Sequence, residues 1–175
     1  MELISEINFG LNSTPIKYSN LIKKNYQRVV FEGSFSFKDQ IYLYSLNEKG
    51  KPGYDIITPF KTNNNEDVLV NRGWIEKDLK GSSEINTNVE SKKITGLLRK
   101  IYRPNMFKPE NDLKNNIWFS INLDDMEKFT KTEYPNYVIF LENPKIKVPL
   151  PKKITIDVPN NHLKYAITWY SIAIS

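Results

Sequence analysis

Alternating hydrophobic and polar residues mark the first half of the chain. The run 28–37 places Val29 and Phe31 on one side and mainly polar residues on the other. This period of two predicts a strand that has one buried face. The apolar run 40–46 follows after a short polar step, and the two runs together predict a hairpin over residues 28–46.

Similar apolar runs, separated by polar turns, predict further strands at 53–60, 68–75, 93–101, 117–121 and 137–141. The first two of these predict a second hairpin, in which Pro59 favours an edge or the end of a strand. Asn122 precedes a short amphipathic segment and predicts the cap of a helix near 123–131. The fold expected is mainly β (a β-rich α+β fold). It is an antiparallel, partly closed sheet of about six or seven strands, with one short packed helix and helical ends.

The two ends of the chain depart from the strand pattern and suggest four segments. Residues 1–14 have apolar positions at helical spacing and are expected to be the end of an N-terminal helix or a lead-in. The β-rich domain is expected at 15–143, followed by an extended proline-rich tether at 144–160. Residues 161–175 are apolar, with a helical pattern.

The segment 161–175 has two interpretations: a docked amphipathic tail, or the start of a membrane helix. A helix from His162 onward would measure only ~20 Å, whereas a hydrocarbon core needs roughly 30 Å. Its composition supports both interpretations equally. Lys164 can snorkel at a membrane interface, and Tyr165 and Trp169 fit an interfacial aromatic belt.

Composition excludes several kinds of site. The 175 residues include no cysteine, which excludes disulfides, thiolate metal sites and thiol nucleophiles. The single histidine, His162, excludes a two-histidine metal site. A hydrolase would have to use His162 as its base, and no acid and nucleophile are visibly placed around it. We therefore expect no enzymatic activity, with such a hydrolase as a weak alternative.

The net charge of +5 suits an anionic partner such as nucleic acid, a lipid surface or an acidic protein. Basic residues are scattered among acids, however, and no long basic run occurs. This is typical of a solvated surface. No nucleic acid is therefore expected, although a basic β-barrel that binds single strands stays an alternative.

Four residues in two regions of the chain, His162 with Tyr165 and Trp169, and Arg72, are candidates for cofactor binding. A lone histidine is more often a hydrogen-bonded or surface residue than a ligand, but His162 begins an apolar helix pattern with Tyr165 and Trp169 on its side. Neutral imidazole is a good axial ligand of haem iron, and flat aromatic side chains favour a macrocycle. Arg72 lies in the sequence Asn-Arg-Gly-Trp at the end of a predicted strand. This sequence favours a structural turn, with pairing of Arg72 to a carboxylate or propionate as the alternative.

Six motifs, in order along the chain, resemble the surfeit locus protein 1 family of cytochrome c oxidase assembly factors. They are Arg-Val-Val-Phe-Glu-Gly-Ser-Phe (28–35), Gly-Tyr-Asp-Ile-Ile-Thr-Pro-Phe (53–60), Val-Leu-Val-Asn-Arg-Gly-Trp-Ile (68–75), Gly-Leu-Leu-Arg (96–99), Phe-Lys-Pro-Glu-Asn-Asp with Trp-Phe-Ser-Ile-Asn (107–112 and 118–122), and Asn-Asn-His-Leu-Lys-Tyr-Ala-Ile-Thr-Trp-Tyr (160–170). Each motif is weak alone, and the ordered set is specific. The resemblance covers about residues 15–175.

The resemblance implies a non-catalytic role in cytochrome c oxidase assembly, by aiding haem a insertion into subunit I or stabilising that subunit. It implies transiently bound haem a, with iron ligation by the residue that matches His162. Expected partners are subunit I, the haem a synthesis machinery and membrane lipid. A haem-independent chaperone that binds subunit I is the main alternative.

The resemblance also implies a location at the bacterial or mitochondrial inner membrane. The main domain would lie on the periplasmic or intermembrane-space side, between two transmembrane helices. Residues 1–14 match at most the end of the first helix, and 161–175 match the start of the second. The chain is therefore expected to lack the first helix and to be truncated in the second.

Overall fold

A computed structural model describes residues 2–86, 93–104, 106–142 and 148–152. They form two α-helices and eight strands. The helices are α1 (Glu2–Asn12) and α2 (Leu123–Thr130), and the strands are β1 (Ile16–Lys17), β2 (Arg28–Phe31), β3 (Gly33–Phe35), β4 (Ile41–Leu46), β5 (Pro52–Thr62), β6 (Asp67–Glu76), β7 (Ile94–Lys100) and β8 (Tyr137–Leu141).

The eight strands form one sheet in the order β1-β2-β7-β8-β6-β5-β3, and β4 also pairs with β5. The prediction of a mainly β fold is confirmed. The sheet is not closed, and it is mixed rather than wholly antiparallel, because β1 runs parallel to β2 and β8 runs parallel to β6. The connection from β7 to β8 includes α2 and returns the chain between β7 and β6. β8 is therefore antiparallel to β7, which precedes it in the chain, and parallel to β6.

The predicted hairpin over residues 28–46 is wrong. β2 pairs with β7, whereas β3 and β4 both pair with β5, β3 at Phe60–Thr62 and β4 at Pro52–Ile57. The 3₁₀ turn Phe37–Asp39 separates β3 from β4, so they lie along the same neighbour instead of side by side. β5 is consequently an inner strand. Pro59 occupies the gap between its β3 and β4 partners, where its missing N–H costs no sheet bond on that side.

Other predicted elements are confirmed. β5 and β6 form the second hairpin. The Asn122 side chain accepts hydrogen bonds from the backbone N–H groups of Asp124 and Asp125, as expected of the cap of α2. Of the predicted strand 117–121, only isolated bridges at Ile117 and Trp118 occur.

Hydrophobic clusters cover both faces of the sheet. One face carries a cluster that includes Phe60, Val70 and Leu98, and a second cluster around Ile56. Successive residues of a strand point to opposite faces, so Leu69 lies on the other face. There it belongs to a cluster with Trp118 and with Met126 of α2. The face with Leu69 and Trp118 also carries the groove described below.

Helix α1 lies within the segment 1–14, where helical spacing was predicted, and it docks on the sheet. Ile7 is buried in a cluster with Tyr26 and Leu97. A Cβ atom at Gly10 would lie 2.0 Å from the carbonyl oxygen of Tyr26, so only glycine permits this approach. Within the ranges that the structure describes, neither helix is long and apolar enough to cross a membrane.

Candidate functional site

The sequence Asn71–Trp74 forms a β-bulge in β6. Asp55 pairs with Trp74 and Ile57 pairs with Asn71, so Arg72 and Gly73 together oppose a single residue of β5. An extra residue bends the strand and re-aims the side chains around it. Asn71 and Arg72 enter two different polar clusters, because successive residues of a strand point to opposite faces.

Arg72 is buried, with 4% of its surface exposed. Its Nη1 donates to Gln40 Oε1 at 2.8 Å and to Asn86 Oδ1 at 3.2 Å, and its Nη2 donates to the carbonyl oxygen of Ile85. The guanidinium carbon lies 5.4 Å from the ring centre of Phe35 and 5.1 Å from that of Phe37. Burial lowers the pKa of Arg72 from 12.5 to about 10, so the side chain stays charged at neutral pH.

These contacts favour the structural interpretation of Arg72. They tie β6 to the residues after β3 and to the 3₁₀ turn Ser83–Asn86. Both Nη atoms already donate to protein acceptors, and only 4% of the residue is exposed. The assignment of Arg72 to a propionate stays a prediction.

Gly73 and Trp74 hold the segment 148–152 against the sheet. The backbones of Trp74 and Leu150 exchange two hydrogen bonds, each 2.8 Å long. Gly73 has a φ of +123°, and a Cβ atom there would lie 2.2 Å from the carbonyl oxygen of Leu150. Part of the predicted tether is therefore docked as an extra strand-like segment at the bulge.

Asp55 of β5, which pairs with Trp74 at the bulge, is buried and forms an ion pair with Lys152. The Lys152 ammonium contacts Asp55 Oδ2 and donates to Ser45 Oγ at 3.1 Å. Asn71 Nδ2 also donates to Asp55 Oδ2, at 3.3 Å, and Asn71 Oδ1 accepts from the N–H of Gly73 at 3.0 Å. Oδ1 of Asp55 has no hydrogen-bond donor in the described part of the chain. The bulge, the docked segment and the buried carboxylate thus form one connected unit.

Asp55, Asn71 and Lys152 lie in the wall of an open groove of about 420 Å³. Its apolar lining includes Leu43, Ile101, Ile121 and Val138, and its aromatic lining consists of Tyr44, Tyr102, Phe119 and Phe140. The cations that line it are Arg99, Lys100, Arg103, Lys108 and Lys152, against the single carboxylate of Asp55. A second concavity of about 660 Å³ shares the strip 101–104 and includes Asp124.

The groove combines positive charge with apolar surface. The positive charge of Lys152 is neutralised by Asp55. The other four cations of the groove take part in none of the ion pairs between described residues. Arg99 lies 5.0 Å from the ring centre of Phe140, and Lys77 lies 5.5 Å from that of Tyr44. This surface suits a ligand that carries negative charges on an apolar body.

Three of the predicted site residues, His162, Tyr165 and Trp169, lie outside the described residues, so the structure does not place them relative to Arg72 or the groove. Among the described residues, no group of three His, Cys, Asp or Glu side chains is arranged to hold a metal ion. Sequence reasoning missed Asp55 and Lys152. A signal for Asp55 existed, because it is the one acid within the otherwise apolar run 54–57.

Comparisons with known proteins now decide the family. A model of the SURF1 family matches residues 2–174. The chain belongs to the SURF1 family. The resemblance inferred from the six ordered motifs is therefore confirmed.

Individual relatives of this SURF1-family chain occur in bacteria and animals. A SURF1-like protein of Rickettsia conorii is 34% identical over 86% of this chain and 65% of its own length. One from Rickettsia prowazekii is 33% identical over 94% of this chain and 69% of its own length. Surfeit locus protein 1 of Gallus gallus is 26% identical over 98% of this chain and 63% of its own length. The chain thus spans about two thirds of these curated relatives.

Proposed function

We propose that this SURF1-family chain is an assembly factor for cytochrome c oxidase that acts on subunit I. The observation that carries the proposal is the family match over residues 2–174, joined to the ordered motifs of the β-rich domain. The chain acts by binding and holding, and it catalyses no reaction. A polar cluster built around a bulge and an open groove suits binding better than bond breaking, which needs a positioned nucleophile and base.

The cargo in this proposal is haem a, held transiently while it enters subunit I. His162 is the proposed axial ligand of the haem iron, and Tyr165 and Trp169 flank the macrocycle. Arg72 is the proposed partner of a haem propionate. This assignment has the weakest support of the four, because the guanidinium already donates hydrogen bonds to Gln40 and Asn86. The haem supplies the redox centre of the oxidase, and the chain supplies its temporary ligand.

The proposed location is the bacterial or mitochondrial inner membrane. The β-rich domain lies on the periplasmic or intermembrane-space side and meets subunit I, the haem a synthesis machinery and membrane lipid there. The aromatic and lysine content of 161–175 supports this position, since such residues favour the membrane interface.

A haem titration tests the cargo. The purified chain in detergent is mixed with haem a, and the Soret band is recorded for the parent, for His162→Ala and for the neighbouring control Lys164→Ala. A shifted Soret band is expected for the parent and the control but not for His162→Ala. Identical spectra for all three chains would rule out His162 as the iron ligand.

A haem-independent chaperone is the second candidate, and the groove is the observation that favours it. Its cations and apolar lining suit a protein partner without any macrocycle. In this case His162→Ala supports oxidase assembly as well as the parent, and subunit I co-purifies with the chain from cells that cannot make haem a. Loss of both properties would favour haem delivery instead.

A further inference from the structure

The groove lined by Arg99 and Phe119 has the properties of a peptide-binding surface. We infer that it binds an acidic, extended segment of a partner protein. Carboxylates of that segment pair with Arg103 and Lys108, and one of its apolar side chains lies against Leu43, Ile101 and Ile121. This inference deepens the proposed assembly role and rests on it, because an assembly factor has to hold a partner protein.

The charges that line the groove indicate that the ligand is negatively charged. Five cations and one carboxylate line the groove, and that carboxylate is already paired with Lys152. Arg103 and Lys108 are exposed at the surface, where their charges attract an anion without a large desolvation cost. Asp124 lies in the neighbouring concavity that shares Arg103, so the favoured carboxylate position lies on the Lys108 side.

The state of the aromatic rings argues for a peptide rather than a nucleic acid. Single-stranded nucleic acids bind by stacking their bases on ring faces. In this groove Arg99 lies over the ring of Phe140. Lys77 lies over the ring of Tyr44, whose centre is also 6.1 Å from that of Phe119. These three rings already have partners, and Tyr102 is exposed but gives only one open ring, which is too few to stack successive bases. The apolar lining suits aliphatic side chains instead.

The contacts of the docked segment 148–152 with three strands hold one wall of the groove in place. The ammonium of Lys152 joins Ser45 on β4 to Asp55 on β5, and Leu150 is bonded to Trp74 of β6. The docked segment therefore forms one wall. A partner segment meets a preformed surface, which lowers the entropy lost on binding.

A fluorescence anisotropy titration tests the inference. The probe is a fluorescein-labelled peptide of alternating glutamate and leucine, mixed with the full chain at low salt. The double variant Arg103→Glu/Lys108→Glu is expected to raise the Kd by about tenfold or more, because both contacts become repulsive. The control Lys17→Glu/Lys38→Glu makes the same change of net charge at two exposed lysines outside the groove. It is expected to raise the Kd by less than about threefold.

Further measurements keep the inference falsifiable. Arg103→Gln/Lys108→Gln, which removes the charges without reversing them, should give an intermediate Kd. Equal weakening by the groove and control variants would overturn the inference, because binding would then follow net charge alone. Tighter, groove-dependent binding of fluorescein-labelled oligothymidylate would replace the peptide with nucleic acid. If the groove variants still support oxidase assembly in cells, the docking inference fails while the assembly role stands.

Discussion

The ammonium of Lys152 pairs with the carboxylate of Asp55, a residue that lies 97 positions earlier in the chain and is buried in the sheet. This contact fastens the segment 148–152 across the Asn71–Trp74 bulge. It also places Lys152, the last described residue, in the wall of the groove. The bulge motif, the docked segment 148–152 and the groove are therefore parts of one arrangement.

Removal of the Lys152 charge should destabilise the fold. Lys152→Met leaves the buried carboxylate of Asp55 without its cation, and we expect the free energy of unfolding to fall by about 2 kcal/mol. The matched control is Lys51→Met, which breaks the exposed pair of Lys51 with Glu76 and should cost less than about 1 kcal/mol. Urea denaturation measures both variants. Equal losses would mean that the buried pair has no special role.

The bulge should require glycine at position 73. Gly73→Ala combines an unfavourable φ with a clash against the Leu150 carbonyl, and we expect a loss of about 2–4 kcal/mol. Gly50 also has a positive φ, +76°, but a Cβ atom there meets nothing within 4 Å. Gly50→Ala should therefore cost only about 1 kcal/mol. Thermal or urea unfolding compares the two, and a similar cost for both would contradict the close packing of Leu150 on Gly73.

Arg72 should be irreplaceable by lysine. Lysine keeps the charge, but it cannot reproduce the planar set of donors that reaches Gln40, Ile85 and Asn86. We expect Arg72→Lys to lower the free energy of unfolding by about 2 kcal/mol. Arg99→Lys, a change at a half-buried groove residue, should cost less than about 1 kcal/mol. The reverse order would show that Arg72 is not a structural centre.

Alkaline pH should weaken the fold through Tyr18. Burial, with a smaller contribution from the charge of Glu66, raises the pKa of Tyr18 above its ordinary value of 10.0. A raised folded-state pKa contributes stability that is complete below about pH 10 and is lost as pH rises further. Tyr18→Phe should therefore lose less stability than the parent between pH 9 and 11. A parallel decline of the two chains in urea denaturation would refute this origin.

The sequence predicted the positions of helices and strands more reliably than it predicted which strands pair with each other. Local signals sufficed for α2, whose cap is Asn122, and for the β5–β6 hairpin. The pairing of β2 with β7 depends on contacts between distant residues, which a period of two does not specify. The same limit applies to the site. Asp55 was visible as an unusual acid, but its partner Lys152 lies in a proline-rich segment that gave no sign of docking.

The most direct test of the assembly role is made in cells from which the gene for this chain has been deleted. The measurement is the haem a absorbance and cytochrome c oxidase activity of their membranes, normalised to subunit I, with and without re-expression of the full chain. The account predicts that both fall on deletion and return on re-expression. Unchanged oxidase activity and haem a absorbance in the deleted cells would contradict it.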